Sequence, residues 1–329
     1  MGVTKITETS RRARIYAARR FTLAVEKALF ERYDVKLNDA DAVLAPDKLA
    51  TEADQCDYLL VSITEKVTSH VIRQLAPKLK VIATLSVGVD HIDLEAARAA
   101  GVAVIYTPNV LSKACAEIAL LLMLNAARRG HEANELVRSG RWQGYAPTQL
   151  LGMGLDGRRL GILGMGRIGR EVATRAASFG MKIHYHNRNR LDPGDESGAV
   201  YHPSPDSLLR HSDVFCICLH AGAEVRGFLD ARRIRLLPPG AIVINISRGS
   251  VVDDGALIAA LRSGRVFAAG LDVFDQEPAI DARYRTLPNV FLTPHIGSAT
   301  TDTRDAMGFL LLDGIRALEE GRPSPNHFC

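Results

Sequence analysis

Short, mostly apolar runs alternate along this chain with stretches whose apolar positions recur at helical spacing. The first five runs lie at 13–17, 34–37, 57–62, 80–85 and 102–106, and they read as strands. Helix-spaced stretches fall between them at 21–32, 67–75 and 94–100, the last stopped by Gly101. A longer helical pattern at 112–129 carries an apolar face of Ile118, Leu121, Leu122 and Met123, and Gly130 is expected to end it. Six further runs follow, at 159–163, 181–186, 213–219, 241–246, 266–271 and 290–293, enough for a second sheet. A last helix is predicted over 301–320, stopped by Gly321-Arg322-Pro323-Ser324-Pro325.

Strand and helix patterns in strict alternation predict an α/β protein built on doubly wound parallel sheets. At 329 residues the chain has room for two domains. Pro108 and Pro294 bracket the second series, so residues 109–295 are expected to form a domain inserted into another made of 1–108 and 296–329. A cleft between two such domains is a natural place for an active site.

Composition narrows the function classes. Lys and Arg number 41 against 37 Asp and Glu, a net charge of +4, with no basic cluster interleaved with aromatics. A nucleic-acid partner is not expected. The densest apolar stretch, 118–124, is far short of the roughly 20 residues that span a bilayer, so no membrane partner is expected. Five cysteines lack paired spacing, and Cys216 and Cys218 read as small core residues of one strand. The basic N-terminus has no apolar signal core, and a cytoplasmic enzyme is expected.

The run at 159–163 leads straight into Gly164-Met165-Gly166-Arg167-Ile168-Gly169 and then a helical pattern. In that context the three glycines have distinct tasks. Gly164 permits the tight turn, Gly166 lets the backbone approach a pyrophosphate, and Gly169 lets helix and strand pack closely. Unpaired N–H groups at the helix start would then meet the phosphate charge. The next strand would end in an acid if it read the ribose 2′-hydroxyl of NAD. Here it ends in Asn187-Arg188-Asn189-Arg190. A neutral side chain followed by two arginines suits a 2′-phosphate, so NADP is favoured over NAD.

Three later strands end in chemistry-bearing residues: Arg248 after 241–246, Glu277 shortly after 266–271, and His295 after 290–293. Ligands of open α/β sheets gather outside the carboxyl ends of the strands, so the three can converge. Arg248 would hold a carboxylate and polarise a carbonyl. His295 would give the proton, and Glu277 would orient the imidazole and raise its pKa.

With these motifs in place, the chain resembles the NAD(P)-dependent D-isomer-specific 2-hydroxyacid dehydrogenases from about residue 15 to 326. The resemblance rests on Ser86-Val87-Gly88-Val89-Asp90-His91-Ile92-Asp93, the glycine loop, Asn245-Ile246-Ser247-Arg248-Gly249, the 271–278 stretch Leu-Asp-Val-Phe-Asp-Gln-Glu-Pro, and Thr293-Pro294-His295-Ile296-Gly297-Ser298. It implies that Arg248, Glu277 and His295 are the catalytic set, and that backbone N–H groups of Val87 and Gly88 hold the substrate carboxylate. It further implies that Asp272 bonds the nicotinamide carboxamide, and that a homodimer forms on the helix at 112–129. The cofactor site then comprises Ser112, Gly164, Met165, Gly166, Arg167, Ile168, Gly169, Asn187, Arg188, Arg190, His220, Ile246, Ser247, Asp272 and Gly297. The substrate would meet Val87, Gly88, Arg248, His295, Ser298 and Tyr145 of the partner subunit. Asn187-Arg188 and the 147–152 stretch are similar to NADP-preferring glyoxylate/hydroxypyruvate reductases. Other D-2-hydroxyacid dehydrogenases using NAD, such as the D-3-phosphoglycerate enzymes, and a dinucleotide-sensing corepressor remain as alternatives. No metal is expected.

Overall fold

The structure, a computed structural model, describes residues 12–220 and 222–329. It separates into two compact units: the described residues up to Val110 together with Thr300–Cys329, and Leu111–Ala299.

The first unit is a parallel five-stranded sheet of β1 (Arg14–Ala17), β2 (Asp34–Leu37), β3 (Tyr58–Val61), β4 (Val81–Thr84) and β5 (Ala103–Ile105), in the order β2-β1-β3-β4-β5. The inner strands β3 and β4 have two buried faces, which explains why their runs are continuously apolar, whereas the edge strand β2 alternates exposed and half-buried residues. On one face Leu59, Val61 and Ile82 meet Leu49, Ile72 and Leu75 from helices Pro46–Glu52 and Ser69–Leu75. On the other, Tyr58, Leu60 and Ala83 meet Val25 and Leu29 of helix Leu23–Arg32 and Leu311 and Ile315 of helix Thr301–Glu319. The C-terminal helix is thus a structural layer of the N-terminal sheet. Glu319 at its end accepts from Tyr58 Oη at 3.0 Å and from Arg32 Nη2 at 2.8 Å.

The second unit is a parallel seven-stranded sheet: β6 (Arg159–Leu163), β7 (Lys182–His186), β8 (Val200–Tyr201), β9 (Val214–Ile217), β10 (Ala241–Asn245), β11 (Val266–Leu271) and β12 (Val290–Leu292). The order β12-β11-β10-β9-β6-β7-β8 reverses direction between β6 and β9. The crevice at that switch point, at the carboxyl ends of the strands, is where dinucleotides bind in such sheets. The long helix Ser112–Arg128 lies on one face, where Ala119, Leu122 and Met123 pack against Ile162, Cys216 and Ile244. Gly270 admits it: a Cβ there would stand 2.7 Å from Leu122 Cβ.

Four details depart from the pattern reading. The second sheet has seven strands, because the two-residue β8 is too short to leave a run. Helix Pro46–Glu52 buries only Leu49 and Ala50 and so shows little periodicity. Leu121 points outward and is 41% exposed, its place on the buried face taken by Ala119 and Leu120. Gly130 does not terminate the long helix: the chain breaks at Arg129 (φ +54°), and Gly130 opens another helix, Gly130–Arg138. Among the described residues no helix is long and apolar enough to cross a membrane.

Leu311 is fully buried against the first sheet. Leu311→Ala is expected to cost about 2–5 kcal/mol, read as a lower urea midpoint. An unchanged midpoint would mean that the helix contributes little to this unit.

Candidate active site

The glycine loop leaves β6 at Gly164, whose φ of +93° lies in the region that favours glycine. Its N–H donates to His186 O at 3.0 Å, and a Cβ on it would stand 2.9 Å from Leu219 N. Gly169 is packed from below, since a Cβ there would lie 2.5 Å from Gly164 O. Gly166 is the contrast: a Cβ there would meet no atom within 4 Å, and helix Arg167–Ala177 starts at the next residue. An exposed glycine at the head of a helix fits a pyrophosphate, which needs close backbone approach and the positive end of the helix dipole.

The acceptor loop after β7 is tied to the glycine loop. Asn187 Oδ1 accepts from Met165 N–H at 2.6 Å, and its Nδ2 donates to Met165 O at 3.4 Å. Arg188 is exposed and makes no ion pair or hydrogen bond among the described residues. Arg190 differs from expectation. Its guanidinium is engaged by Glu196, with Nε–Oε1 at 2.8 Å and Nη2–Oε2 at 3.0 Å, so the loop presents one unengaged arginine rather than two.

At the carboxyl ends of β10, β11 and β12, two of the three predicted side chains are bonded to each other and the charge of the third acts on them. His295 Nδ1 lies 2.8 Å from Glu277 Oε2, and Glu277 Oε1 accepts from Phe274 N–H at 2.8 Å. Burial opposes the Glu277 charge, but the His295 bond and charge, the Phe274 N–H and the Arg248 charge outweigh it and hold the carboxyl below its usual range. Arg248 Nη1 donates to Ser247 O at 3.0 Å, and Asn245 Nδ2 caps Arg248 O at 3.0 Å. His295 itself has φ +55°, an uncommon conformation for a residue with a Cβ and one that gathers at functional sites.

What holds it there is Asp272, at the end of β11 and 2% exposed. Its Oδ1 accepts from Thr293 Oγ1 at 2.6 Å and from Ile296 N–H at 2.8 Å, and its Oδ2 accepts from Gly297 N–H at 2.8 Å. His295 N–H donates to the Asp272 carbonyl at 2.9 Å. Burial is the main influence on this carboxyl and leaves it above the usual range despite those donors. Two carboxylate oxygens offer about four acceptor sites, so one further donor can be received.

The other expected residues fall as follows. Ser112 starts the long helix and is largely buried, His220 is exposed beyond β9, and Ile246 and Ser247 follow β10. Ser247 Oγ donates to Leu219 O at 2.6 Å. Ser298 is half-buried after Gly297, and Tyr145 is 87% exposed. Val87 and Gly88 lie on the loop after β4 of the first unit, where Ser86 Oγ donates to Gly88 O at 2.6 Å. Cys216 is buried and Cys218 half-buried, their sulfurs 3.6 Å apart.

Gly249 enters the sequence reading only as the end of the 245–249 motif, with no role of its own, yet the two loops depend on it. A Cβ there would stand 1.7 Å from the Phe274 carbonyl carbon and 2.0 Å from Asp275 N. Its only sequence signal is its place directly after Arg248. Gly249→Ala is expected to push the Arg248 loop off the Glu277 loop at a cost of about 1–3 kcal/mol, read as a lower melting temperature. A variant as stable as the parent would show that the two loops can separate freely.

Residues 120–297 match the family model for the D-isomer specific 2-hydroxyacid dehydrogenase NAD binding domain. Glycerate dehydrogenase from Hyphomicrobium methylovorum is 42% identical over 293 residues, covering 88% of this chain and 91% of that protein. A crystal structure from Polaromonas sp., provisionally described as an NAD-binding D-isomer specific 2-hydroxyacid dehydrogenase, superposes with a TM-score of 0.94 at 58% identity, covering 97% of this chain and all of the other. The NADPH-dependent glyoxylate/hydroxypyruvate reductase of Sinorhizobium meliloti, solved with NADP and malonate, gives 0.86 at 31% identity, covering 97% of both chains. The chain belongs to the D-isomer specific 2-hydroxyacid dehydrogenases, oxidoreductases that act on 2-hydroxyacids.

Proposed function

We propose that the enzyme reduces the C2 carbonyl of a small 2-oxoacid, glyoxylate or hydroxypyruvate, with NADPH to give the D-2-hydroxyacid. The observation that carries this is the His295–Glu277 pair at 2.8 Å, at the strand edge that also bears Arg248. Arg248 holds the substrate carboxylate and polarises the carbonyl. The reduced nicotinamide, when bound, supplies the hydride. His295, fixed through Nδ1 by Glu277, presents Nε2 to the carbonyl oxygen and gives it a proton as the alkoxide forms. Glu277 offsets the positive charge of the imidazolium before that transfer.

NADPH is favoured because no carboxylate ends β7 and Arg188, beside Asn187, makes no ion pair or hydrogen bond among the described residues. The Sinorhizobium relative, named as NADPH-dependent, supports the same choice. A homodimer is part of the proposal. Val137, Trp142, Tyr145 and Leu151 are all more than half exposed, as a segment covered by a second copy would be, with Tyr145 of the partner subunit closing the substrate pocket.

Two measurements test this. A spectrophotometric panel of glyoxylate, hydroxypyruvate, pyruvate and 2-ketogluconate with each cofactor should give the highest kcat/KM for one of the first two with NADPH. A preference for another acid, or for NADH, would overturn the substrate or cofactor assignment. His295 gives its proton through Nε2 while Glu277 holds Nδ1, so Glu277→Gln should lower kcat by about ten- to a hundredfold with KM for NADPH little changed. A parental kcat would remove Glu277 from this role.

A further inference from the structure

The segment that follows β7 is a closed polar network rather than a loose loop. Glu196, 9% exposed, accepts both nitrogens of the Arg190 fork and also Tyr185 Oη at 2.5 Å. Tyr185 Oη in turn accepts from Leu191 N–H at 3.1 Å. The Arg190 guanidinium also lies over the Tyr201 ring, 5.6 Å from its centroid. Beside Glu196, Asp195 pairs with Arg170 of helix Arg167–Ala177 at 2.8 Å, which anchors the turn to the glycine-loop helix. Arg190 therefore has a fixed partner on the protein side, and that partner carries a negative charge into the region where a 2′-phosphate would bind.

We propose that Glu196 is a cofactor-specificity determinant: it sequesters Arg190 in a bidentate pair, so a 2′-phosphate at this loop is met by Arg188 without Arg190. The inference rests on the reading of residues 187–190 as the loop that faces the adenosine ribose. Carboxylate and phosphate compete for the same fork of donors. Tyr185 Oη donates to Glu196 as well, and the carboxyl is pushed down to about 2, first by Arg190 and then by Tyr185. It stays ionised throughout the working range, so the competition is permanent. Discrimination for the phosphorylated dinucleotide is then weaker than two arginines would provide, and removing the Glu196 charge strengthens it.

The test is calorimetric titration of the full chain with NADP+ and with NAD+, without substrate, so that binding is read apart from turnover. Glu196→Gln should tighten NADP+ about fivefold, the size expected when a partly exposed pair releases an arginine to a phosphate, with NAD+ unchanged within about twofold. Arg190→Ala in the parent should change the NADP+/NAD+ ratio by less than about twofold, whereas in the Glu196→Gln background it should abolish the gain. Arg188→Ala should lower the ratio about tenfold. The proposal is overturned if Glu196→Gln leaves the ratio unmoved or weakens NADP+, or if Arg190→Ala alone costs as much as Arg188→Ala. Because Arg190 is exposed, that comparison decides the matter even if Glu196→Gln fails to fold. An Arg188→Ala variant with the parental ratio would instead overturn the ribose-facing reading of the loop, and this inference with it.

Discussion

One buried carboxylate organises the strand edge of the second unit that carries His295. Asp272 sits where β11 ends, and it gathers the Thr293 hydroxyl and the N–H groups of Ile296 and Gly297 onto its two oxygens. A turn that brackets His295 from both sides is thereby pinned, and the histidine is kept in a left-handed conformation. Such a conformation persists only where the surroundings over-determine it. Burying an ionised carboxylate is costly unless its acceptor sites are filled, and here the donors that fill them are the ones that need to be held. The same bonds that make Asp272 tolerable in the interior place the imidazole against Glu277.

The rest of the site follows from loops that end neighbouring strands. β10 carries Arg248, β11 carries Asp272 and then Glu277, and β12 carries His295, so three adjacent parallel strands deliver the chemistry to one edge. Gly249 sets the spacing by letting the first loop touch the backbone of the second. Across the switch point, β6 delivers the glycine loop to the same edge. The His295–Glu277 pair and the glycine loop thus belong to one sheet, with the long helix Ser112–Arg128 packed on its face.

Much of this was legible in the sequence because the physics that builds it is local. Parallel strands buried on both faces must be continuously apolar, so β3, β4, β6, β10 and β11 announce themselves within a residue or two. The glycine loop is legible for a different reason: Gly164 needs a positive φ and Gly169 cannot tolerate a Cβ, and both demands leave only one residue type. Arg248, Glu277 and His295 are expected together from their positions at strand ends, and the structure pairs His295 with Glu277 at 2.8 Å. What escaped depends on tertiary partners. The pairing of Arg190 with Glu196 spans six residues and a turn, and no local pattern distinguishes it from a free arginine. The bonds from Asp272 to Thr293, Ile296 and Gly297, about 20 residues on in the next strand and its loop, leave no local pattern either. Strand β8 was too short to leave a pattern.

The central claim is that Asp272 acts by positioning the proton donor. Asn at that position keeps the size of the side chain but replaces one acceptor oxygen with a donor, which faces Ile296 or Gly297 N–H instead of accepting from it. The most direct measurement is single-turnover oxidation of bound NADPH by a 2-oxoacid in Asp272→Asn, set beside the equilibrium affinity for NADPH. The account predicts a rate lower by about a hundredfold, the scale of a lost general acid, with cofactor affinity changed less than about threefold. A parental rate, or a loss confined to cofactor affinity, would contradict it.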